Sequence, residues 1–363
     1  METAAINQLR SEGDPVRIIC ANEEIQGLRE HRLEIQYPEH WFAPLALSPF
    51  AKKIEQETIS WMQALGLIKD DQSLSHVQAM EPRYYAGYSH SMASYDYTLL
   101  YCKCITMWLL WDDERVEVAK NFDAVEGPII ALRGDQAPAH QVDDPYVRAF
   151  KHIGDEYERL GASKQWRQRF ADRMSEWATH AIQEEVVRRN GVGNDNRSLE
   201  EAIRLRAITI GFKPASIPTE RAAGIELPEE LVGSEDYELI LEYAAQICFI
   251  VNDIVGVPKD ISNDQKKSNL VIYYMNANNV SLLDAYHKIL RVHDDAVNAY
   301  DKLVASVLRS FPSFKQAELS YFFDSLRYME TGFGIWQAEC IRYQNSFAAQ
   351  GKQSYRISIG RRF

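Results

Sequence analysis

Two stretches of this sequence carry oxygen-bearing side chains at spacings suited to binding a divalent cation. In the first, Asn252, Gly256 and Asp260 lie at i, i+4 and i+8, so a helix would place all three on one face. The preceding residues 243–251 are almost all apolar, so that face begins inside a buried helix. Buried amides and carboxylates must be paired or bind a metal, and oxygen ligands on a rigid wall suit Mg²⁺. Taken alone, the stretch fits an ordinary polar helix end better than a metal site.

The second stretch is a pair of aspartates at the end of an apolar run. Residues 105–111 lead directly into Asp112 and Asp113, and Glu117 lies at i+4 from Asp113. Adjacent carboxylates repel each other in a medium of low dielectric constant, and a divalent cation would relieve that repulsion. Considered alone, the pair fits a surface acidic patch equally well. Solvated positions are expected for the other Asp-Asp pairs, at 70–71, 143–144 and 294–295.

Basic side chains are also present at positions that suit an anionic substrate. Two clusters of oxygen ligands on separate helices could hold several Mg²⁺ ions, which would in turn hold a diphosphate. Donors to the diphosphate oxygens should then be basic, and the candidates are Arg206, Lys259 and the pair Arg342-Tyr343. Each of these residues, considered singly, is more typical of an ordinary surface charge.

The elements that must position these residues are predicted to be helices. Ser48-Pro49 is a typical helix start, and Gly66 is typical of the position just after a helix. Runs that alternate apolar and polar residues are scarce, so no sheet is expected and the chain is predicted to be one all-α domain. Helical periodicity is found at 50–65, 94–111, 146–160, 164–188, 198–210, 234–255, 281–308 and 315–343.

The domain boundaries follow from this pattern. Residues 1–45 are expected to be an irregular N-terminal segment, 46–345 the helical domain, and 346–363 a basic tail. The tail either folds over the loaded site or is disordered, and disorder is favoured.

Composition excludes several classes of function. The net charge is −12 and the Lys and Arg residues are not clustered before the C-terminus, so nucleic acid is not expected as a partner. The chain has five cysteines without a C-x-x-C pair, which favours a reducing cytoplasm. No signal peptide is recognised and no run of 18 apolar residues occurs, so stable membrane insertion is not expected.

With these residues placed, the chain resembles the class I terpene synthases (terpene cyclases) of the fungal and bacterial type. Asp112-Asp113-x-x-x-Glu117 resembles the family's aspartate-rich motif. Asn252-Asp253-x-x-Gly256-x-x-Lys259-Asp260 resembles the metal-binding triad N-D-x-x-S-x-x-K-E. Arg206 occupies the diphosphate-sensor position, followed by Thr209 and Ile210 at the linker and effector positions. Trp336 and Arg342-Tyr343 resemble the C-terminal Trp and Arg-Tyr pair, so the resemblance spans roughly residues 80 to 343.

The resemblance implies a single-domain α-helical bundle around a central apolar cavity, and a lyase that ionises and cyclises a linear prenyl diphosphate. Three Mg²⁺ ions are implied, with Asp112, Asp113, Glu117, Asn252, Gly256 and Asp260 as the metal-binding positions. Arg206, Lys259, Arg342 and Tyr343 would bind the diphosphate. Trp108 and Trp336 are the aromatic residues expected to stabilise cations in the cavity. Farnesyl diphosphate, giving a sesquiterpene, is the favoured substrate, and a monomer or homodimer is expected.

The chain departs from the family pattern at three positions. Gly256 replaces the usual Ser, so a water would have to take the place of the hydroxyl ligand. Asp260 replaces Glu and is one methylene shorter, and Pro258 would kink or end an interior helix. Arg204 is a competitor for the sensor role, although the spacing favours Arg206.

Several alternative functions stay open at this point. Geranylgeranyl diphosphate would give a diterpene, and a chain-elongating prenyl synthase shares the helical class but should carry two aspartate-rich motifs. A catalytically silent helical scaffold is supported by the three departures. A metal phosphohydrolase built on His293-Asp294 lacks further His ligands at suitable spacing.

Overall fold

The computed structural model describes residues 33–189, 197–262, 269–312, 314–340 and 357–362, and helices dominate them. The prediction of an all-α protein is confirmed, and the helices form a bundle whose core contains residues from nearly every element. In chain order the helices are α1 (Ala51–Ala64), α2 (Asp71–Ala79), α3 (Pro82–Ser89), α4 (Tyr95–Trp111), α5 (Glu126–Arg133), α6 (Pro145–Arg159), α7 (Lys164–Arg189), α8 (Leu199–Thr209), α9 (Phe212–Ser216), α10 (Thr219–Ala222), α11 (Glu229–Val232), α12 (Glu235–Ser262), α13 (Leu270–Asn278), α14 (Leu282–Ser310) and α15 (Gln316–Glu339).

Local sequence signals fix several of the helix ends. Ser94 caps α4 by accepting a hydrogen bond from the Tyr97 amide, and Ser198 forms a capping box with Glu201 at the start of α8. Gly66 follows α1 with φ +76°, the left-handed conformation that suits glycine after a helix. The helix boundaries predicted at these points are therefore confirmed to within a few residues.

Other helices differ from the prediction. α12 continues through Pro258 to Ser262, so Pro258 does not end the helix as the sequence suggested. Proline lacks the backbone N–H and so removes one intrahelical hydrogen bond, but this loss is local. The helix persists because its apolar face packs in the core. The short helices α2, α3, α5 and α13 were not predicted, because eight or nine residues give too few turns for a clear periodicity.

A small sheet corrects the expectation that no sheet is present. It is formed by residues 33–38, within the N-terminal segment expected to be irregular, and residues 357–362, within the tail expected to be disordered, whereas residues 346–356 of that tail lie outside the described residues. β1 (Leu33–Pro38) pairs in parallel with β2 (Ile357–Arg362), with Leu33 opposite Ile357 and Pro38 opposite Arg362. Along β1, Leu33, Ile35 and Tyr37 are buried while the residues between them face outward. This alternation covers only six residues, and the partner strand lies more than 300 residues away, so pairing could not be read from the local pattern.

The helix α12 forms the centre of the bundle and carries one of the two predicted metal motifs. It packs against α14 and α15 on one side and against α8 and α9 on another. Its segment Glu235–Val257 is long and apolar enough to cross a membrane, but 72% of the apolar window is buried inside the protein, as expected for a core helix. The polar residues in the second half of α12, among them Asn252 and Asp253, are therefore carried by a core helix of the bundle.

Candidate active site

A cavity of about 260 Å³ lies between α4, α7, α8, α9, α12 and α15. Part of its wall is apolar and rich in aromatic rings, including Ile105, Trp108, Leu109, Trp177, Phe333 and Trp336. The rest of the wall carries side chains with oxygen or guanidinium groups, including Asp112, Glu117, Glu184, Arg206, Asn252 and Asp260. An apolar space with a few converging polar groups is the usual form of a small-molecule site.

Asp112 and Glu117 reach the cavity from a widened helical turn. α4 ends at Trp111, and Asp112–Val116 form one turn of π-helix in which the Glu117 amide donates to the Asp112 carbonyl at 3.0 Å. Such a turn takes about one residue more than an α-helical turn, so residues five apart return to the same side. The two carboxylates, which would diverge on a regular α-helix, therefore both line the cavity.

Asp113 points elsewhere. Its Oδ2 lies 2.9 Å from Nε2 of His76 on α2, and Asp113 is not among the residues that line the cavity. The structure therefore brings Asp112 and Glu117 together but leaves Asp113, the second acidic residue of the predicted motif, outside.

Arg206 enters the cavity from α8 and is held by a buried carboxylate. Asp253 Oδ1 accepts from Arg206 Nη2 at 2.6 Å and Oδ2 accepts from Nε at 3.3 Å, while Oδ2 also accepts from the Leu270 amide at 2.7 Å. Arg206 Nη1 donates to Thr209 Oγ1 at 3.2 Å. Burial acts to lower the pKa of Arg206, but Asp253 and then Glu184 outweigh it and leave that pKa raised. The guanidinium is thus a fixed positive charge in the wall.

The competing arginine lies outside the site. Arg204 is 58% exposed and pairs with Glu200, four residues earlier on the same helix. The structure therefore places Arg206, and not Arg204, where a bound anion could be contacted.

The second oxygen cluster is organised by Asn269, which the sequence did not single out. Its Nδ2 donates to the Asp253 carbonyl at 2.7 Å and to Asp260 Oδ2 at 2.8 Å, while its Oδ1 accepts from two amides at the start of α13. Asn269 thus ties α12 to α13 and orients Asp260. An asparagine just before a helix is typical of an N-cap, so the sequence did not predict that Asn269 also orients Asp260.

The glycine at position 256 and the short carboxylate at 260 fit together. A Cβ atom at Gly256 would lie 3.1 Å from Asp260 Oδ2, so the Asp260 carboxylate lies over the space that a side chain at 256 would fill. Asn252 and Asp260 line the cavity and Gly256 does not. The two departures from the family pattern are therefore sterically linked.

Trp108 and Trp336, the two aromatic residues singled out in the sequence, both line the cavity. Trp108 packs edge-on against Trp177, with ring centroids 4.9 Å apart, and Trp336 donates from Nε1 to the Met80 carbonyl at 2.7 Å. Phe249, on α12 one turn before Asp253, is fully buried and is not among the lining residues.

The break between α8 and α9 is shaped by this aromatic cluster. Gly211 has φ +78°, and a Cβ atom there would lie 3.0 Å from Trp108 Cζ2. Trp177 donates from Nε1 to the Thr209 carbonyl at 3.0 Å. Thr209 and Ile210, at the linker and effector positions, therefore lie on a turn that two tryptophans hold against the cavity.

Glu184 and Trp177, on the long helix α7, were also missed in the sequence. Glu184 lines the cavity and acts electrostatically on Arg206. It belongs to a helix rich in charged residues, where one inward-facing carboxylate does not stand out. Of the remaining predicted site residues, the Lys259 side chain and Arg342-Tyr343 lie outside the described residues.

The donor set fits a hard divalent cation. Carboxylate and amide oxygens from two walls, Asp112 and Glu117 on one and Asn252 and Asp260 on the other, are ligands that Mg²⁺ prefers. Within the described ranges, no three Asp, Glu, His or Cys side chains are close enough to enclose an ion by themselves. A cation here would therefore also need oxygens from a bound substrate or water.

Comparisons with known proteins agree with this geometry. Residues 103–299 match the family described as terpene synthase family 2, C-terminal metal binding. Pristinol synthase of Streptomyces pristinaespiralis is 25% identical over 334 residues, covering 88% of this chain and 86% of that protein. A (-)-beta-caryophyllene synthase of Saccharothrix espanaensis, described as cyclising (2E,6E)-farnesyl diphosphate, is 25% identical over 276 residues, covering 74% and 72%.

The solved structures show the same fold. The linalool/nerolidol synthase of Streptomyces clavuligerus, in complex with 2-fluorogeranyl diphosphate, superposes with a TM-score of 0.68 at 19% identity and covers 80% of this chain and 99% of that one. The family match spans more than half of the sequence and contains both predicted metal motifs. This chain belongs to terpene synthase family 2 and has the class I terpene synthase fold.

Proposed function

We propose that this protein is a Mg²⁺-dependent lyase that ionises a linear prenyl diphosphate, with farnesyl diphosphate favoured, and cyclises it to a sesquiterpene hydrocarbon or alcohol. The observation that carries the proposal is one cavity in which an aromatic, apolar wall adjoins Asp112, Asn252, Asp260 and the fixed guanidinium of Arg206. Such a cavity offers one end to a diphosphate and the other to a hydrocarbon.

The metal sites would be shared between two walls. We assign Asp112 and Glu117 to one wall and Asn252 and Asp260 to the other, with three ions expected from the family resemblance. When bound, the ions would act as Lewis acids on the diphosphate oxygens and so assist departure of that group. The hydrogen bond from Asn269 orients Asp260 toward this task.

Arg206 would bind the diphosphate and sense its presence. A planar guanidinium donates two parallel hydrogen bonds to phosphate oxygens, and charge-assisted bonds of this kind are the stronger class. Asp253 and Thr209 accept hydrogen bonds from some of the guanidinium N–H groups and hold the guanidinium plane in place. Lys259, Arg342 and Tyr343 are proposed as further donors on the basis of the family resemblance.

The apolar wall would control the cation that ionisation leaves behind. Closing such a space excludes water, which would otherwise capture the cation early. The ring faces of Trp108 and Trp336 supply electron density to passing cations. Trp177 packs against Trp108 and limits its movement.

The cavity volume bears on the length of the substrate. At about 260 Å³ it lies just below the range of about 300–1,000 Å³ that is common for small-molecule pockets. A small cavity supports the shorter of the two substrates considered, the fifteen-carbon chain, over the twenty carbons of geranylgeranyl diphosphate. The caryophyllene synthase relative, whose name specifies farnesyl diphosphate, supports the same choice.

We further propose that the enzyme acts in the cytoplasm as a monomer or homodimer, without stable membrane insertion and without a nucleic acid partner. The four cysteines in the described residues are free and buried, which supports a reducing compartment.

The test is incubation with farnesyl and geranylgeranyl diphosphates separately, with and without Mg²⁺, and gas chromatography–mass spectrometry of the extract. A Mg²⁺-dependent cyclic product from farnesyl diphosphate is expected. A product from geranylgeranyl diphosphate alone would make the enzyme a diterpene synthase. No product from either substrate, with no diphosphate released, would favour a silent scaffold.

A further inference from the structure

Gln337 on α15 brings an unpaired amide group to the wall of the cavity. Its side chain lines the cavity, the residue is 4% exposed, and Oε1 has no hydrogen-bond partner in the described part of the chain. Among the described residues that line the cavity, Gln337 alone has a buried polar side-chain atom without a partner. Because such an atom destabilises the folded protein, its partner is expected among the molecules that enter the cavity.

The residues beside Gln337 on α15 are aromatic and held in place. Phe333 and Gln337 lie at i and i+4 and so share one face of the helix, and Trp336 lies between them in sequence. Trp336 Nε1 donates to the Met80 carbonyl at 2.7 Å, and the indole packs edge-on against Tyr85 with ring centroids 5.2 Å apart. Of the three residues that α15 contributes to the wall, Gln337 therefore supplies the uncommitted polar group.

Hydrogen-bond donors on the facing walls are committed elsewhere. Arg206 donates through Nε and Nη2 to Asp253 and through Nη1 to Thr209. Asn269 Nδ2 donates to two oxygen atoms of α12. Turning either group toward the unpaired amide would break bonds already made, and these side chains therefore do not supply its missing partner.

The chemistry of the missing partner follows from the carbonyl oxygen, which is an acceptor. The oxygens of an ionised diphosphate are also acceptors, and a neutral hydrocarbon has no donor, so neither can pair with it. A carbocation can, because positive charge on carbon and on the adjacent C–H groups attracts the negative end of a carbonyl dipole. Rotation about the last side-chain bond lets the oxygen turn toward that charge. In a cavity that excludes water, the low dielectric constant strengthens the attraction.

We propose that Gln337 determines the product of the cyclisation, by placing its carboxamide oxygen against the carbocation and stabilising positive charge at one position on the hydrocarbon. The proposal rests on the prenyl diphosphate chemistry proposed above. An aromatic ring stabilises charge anywhere over its face, whereas a carbonyl oxygen acts at one point. Gln337 thus selects among cations that differ in where the charge lies, after ionisation is complete.

The experiment compares wild type with Gln337→Leu, which keeps a side chain of similar size but removes the amide. Each enzyme is incubated with the prenyl diphosphate that it accepts and Mg²⁺, the terpenes are quantified by gas chromatography–mass spectrometry, and diphosphate release is assayed separately. Gln337→Leu should release diphosphate within about threefold of the wild-type rate, because ionisation does not use the amide. The ratio of the main wild-type product to terpenes with other carbon skeletons should fall by about tenfold.

The thermal stability of the enzyme without substrate gives a second measurement. Replacing an unpaired amide by an apolar side chain removes a desolvation penalty, so the Tm of Gln337→Leu should equal or exceed that of wild type. A lower Tm would mean that the amide already has a partner in the empty protein, and would overturn the proposal. Gln337→Asn, which keeps a carboxamide one methylene further back, should retain part of the wild-type product.

Gln316→Leu is the matched control, because Gln316 is exposed near the start of the same helix and does not line the cavity. It should give the wild-type product ratio. An unchanged product ratio in Gln337→Leu would overturn the proposal. If diphosphate release were also slowed by about tenfold or more, the amide would instead bind the diphosphate.

Two further outcomes separate this proposal from other functions of the cavity. A wild-type alcohol that Gln337→Leu replaces by a hydrocarbon with the same skeleton would overturn the contact with the cation, and would assign the amide to a bound water. Absence of diphosphate release in wild type would instead overturn the proposed function.

Discussion

At the scale of single residues, Asp253 fixes the guanidinium of Arg206 in the polar part of the cavity wall. Asp253 is 1% exposed and accepts from both Arg206 and the Leu270 amide, and burial nevertheless outweighs these partners and raises its pKa. A buried pair of this kind is costly to form and costly to break, which makes it better suited to holding a geometry than to adding stability. The remaining donor capacity of Arg206 faces the cavity.

Arg206→Lys should reduce kcat/KM strongly while leaving the helical content unchanged. A lysine keeps the charge, but a single ammonium cannot reproduce the fork that contacts Asp253, Thr209 and a diphosphate together. Steady-state kinetics of diphosphate release measure the effect. Arg204→Lys is the control, since Arg204 is exposed on the same helix, and equal losses in the two variants would contradict the assignment.

Asp112→Asn should lower turnover by roughly a hundredfold or more, because Asp112 is a proposed metal-binding carboxylate and its loss would remove several kcal/mol of charge stabilisation. Asp113→Asn should lose much less, since Asp113 pairs with His76 outside the cavity. Both variants should keep the wild-type circular dichroism spectrum. Equal turnover losses would return Asp113 to the metal site that the sequence motif predicted.

Glu330 on α15 is 2% exposed, and this buried acid predicts a pH-dependent stability. Burial raises the folded-state pKa of Glu330, so the folded state retains a proton that the unfolded state loses above a pH of about 4.3. Wild-type stability should therefore fall as the pH rises above that value, by about 1.4 kcal/mol for each pKa unit of the shift. Chemical denaturation should show that the free energy of unfolding of Glu330→Gln increases relative to that of wild type from pH 5 to pH 8. A difference that stays constant over this range would mean that Glu330 is ionised in the folded protein.

At the scale of elements, the sequence predicted where helices begin but did not predict the π-turn or the tertiary contacts of the site. The ends of α4 and α8 follow from Ser94 and Ser198, because capping is local. The sequence predicted Asp112, Asp113 and Glu117 as one acidic cluster, but it did not predict the π-turn at Asp112–Val116, which leaves Asp113 paired with His76 outside the cavity. Asn269 and Glu184 reach the site through tertiary contacts that periodicity does not encode.

The turn between α8 and α9 gives a prediction at this scale. Gly211→Ala should destabilise the protein by about 2 kcal/mol and lower turnover, since the left-handed conformation disfavours a side chain and the new Cβ would press on Trp108 at 3.0 Å. Gly66→Ala separates the two causes, because Gly66 has φ +76° with nothing within 4 Å of the added atom. Gly66→Ala should show the backbone penalty and retain full turnover, and equal turnover in both variants would remove the role of the Trp108 contact.

At the scale of the whole molecule, the β1–β2 pair fastens the two ends of the described chain to the bundle. β2 packs on α15, and Ile359 Cδ1 lies 3.3 Å from the position a Cβ would take at Gly334, between Phe333 and Trp336 in sequence. The strand pair thus stands directly behind the helix that carries part of the cavity wall.

Ile359→Ala should lower the free energy of unfolding by about 1–2 kcal/mol, because a half-buried side chain loses its contacts with α15 and leaves space behind. Arg361→Ala on the same strand removes an exposed ion pair with Glu39 and should cost less than about 1 kcal/mol. Guanidinium denaturation measures both, and a larger loss for Arg361→Ala would mean that charge, and not apolar packing, holds the strand.

The parallel pairing of the first and last described strands has a consequence for how the chain matures during synthesis. Leu33 pairs with Ile357, so β1 has no partner strand until 324 further residues have been synthesised. At 5–20 residues per second this takes about 16–65 s. During that interval the hydrogen-bonding edge of β1 is open to other chains. A variant truncated before Ile357 would keep every described helix that lines the cavity but would expose this edge, so the truncation should lead to aggregation before it affects catalysis.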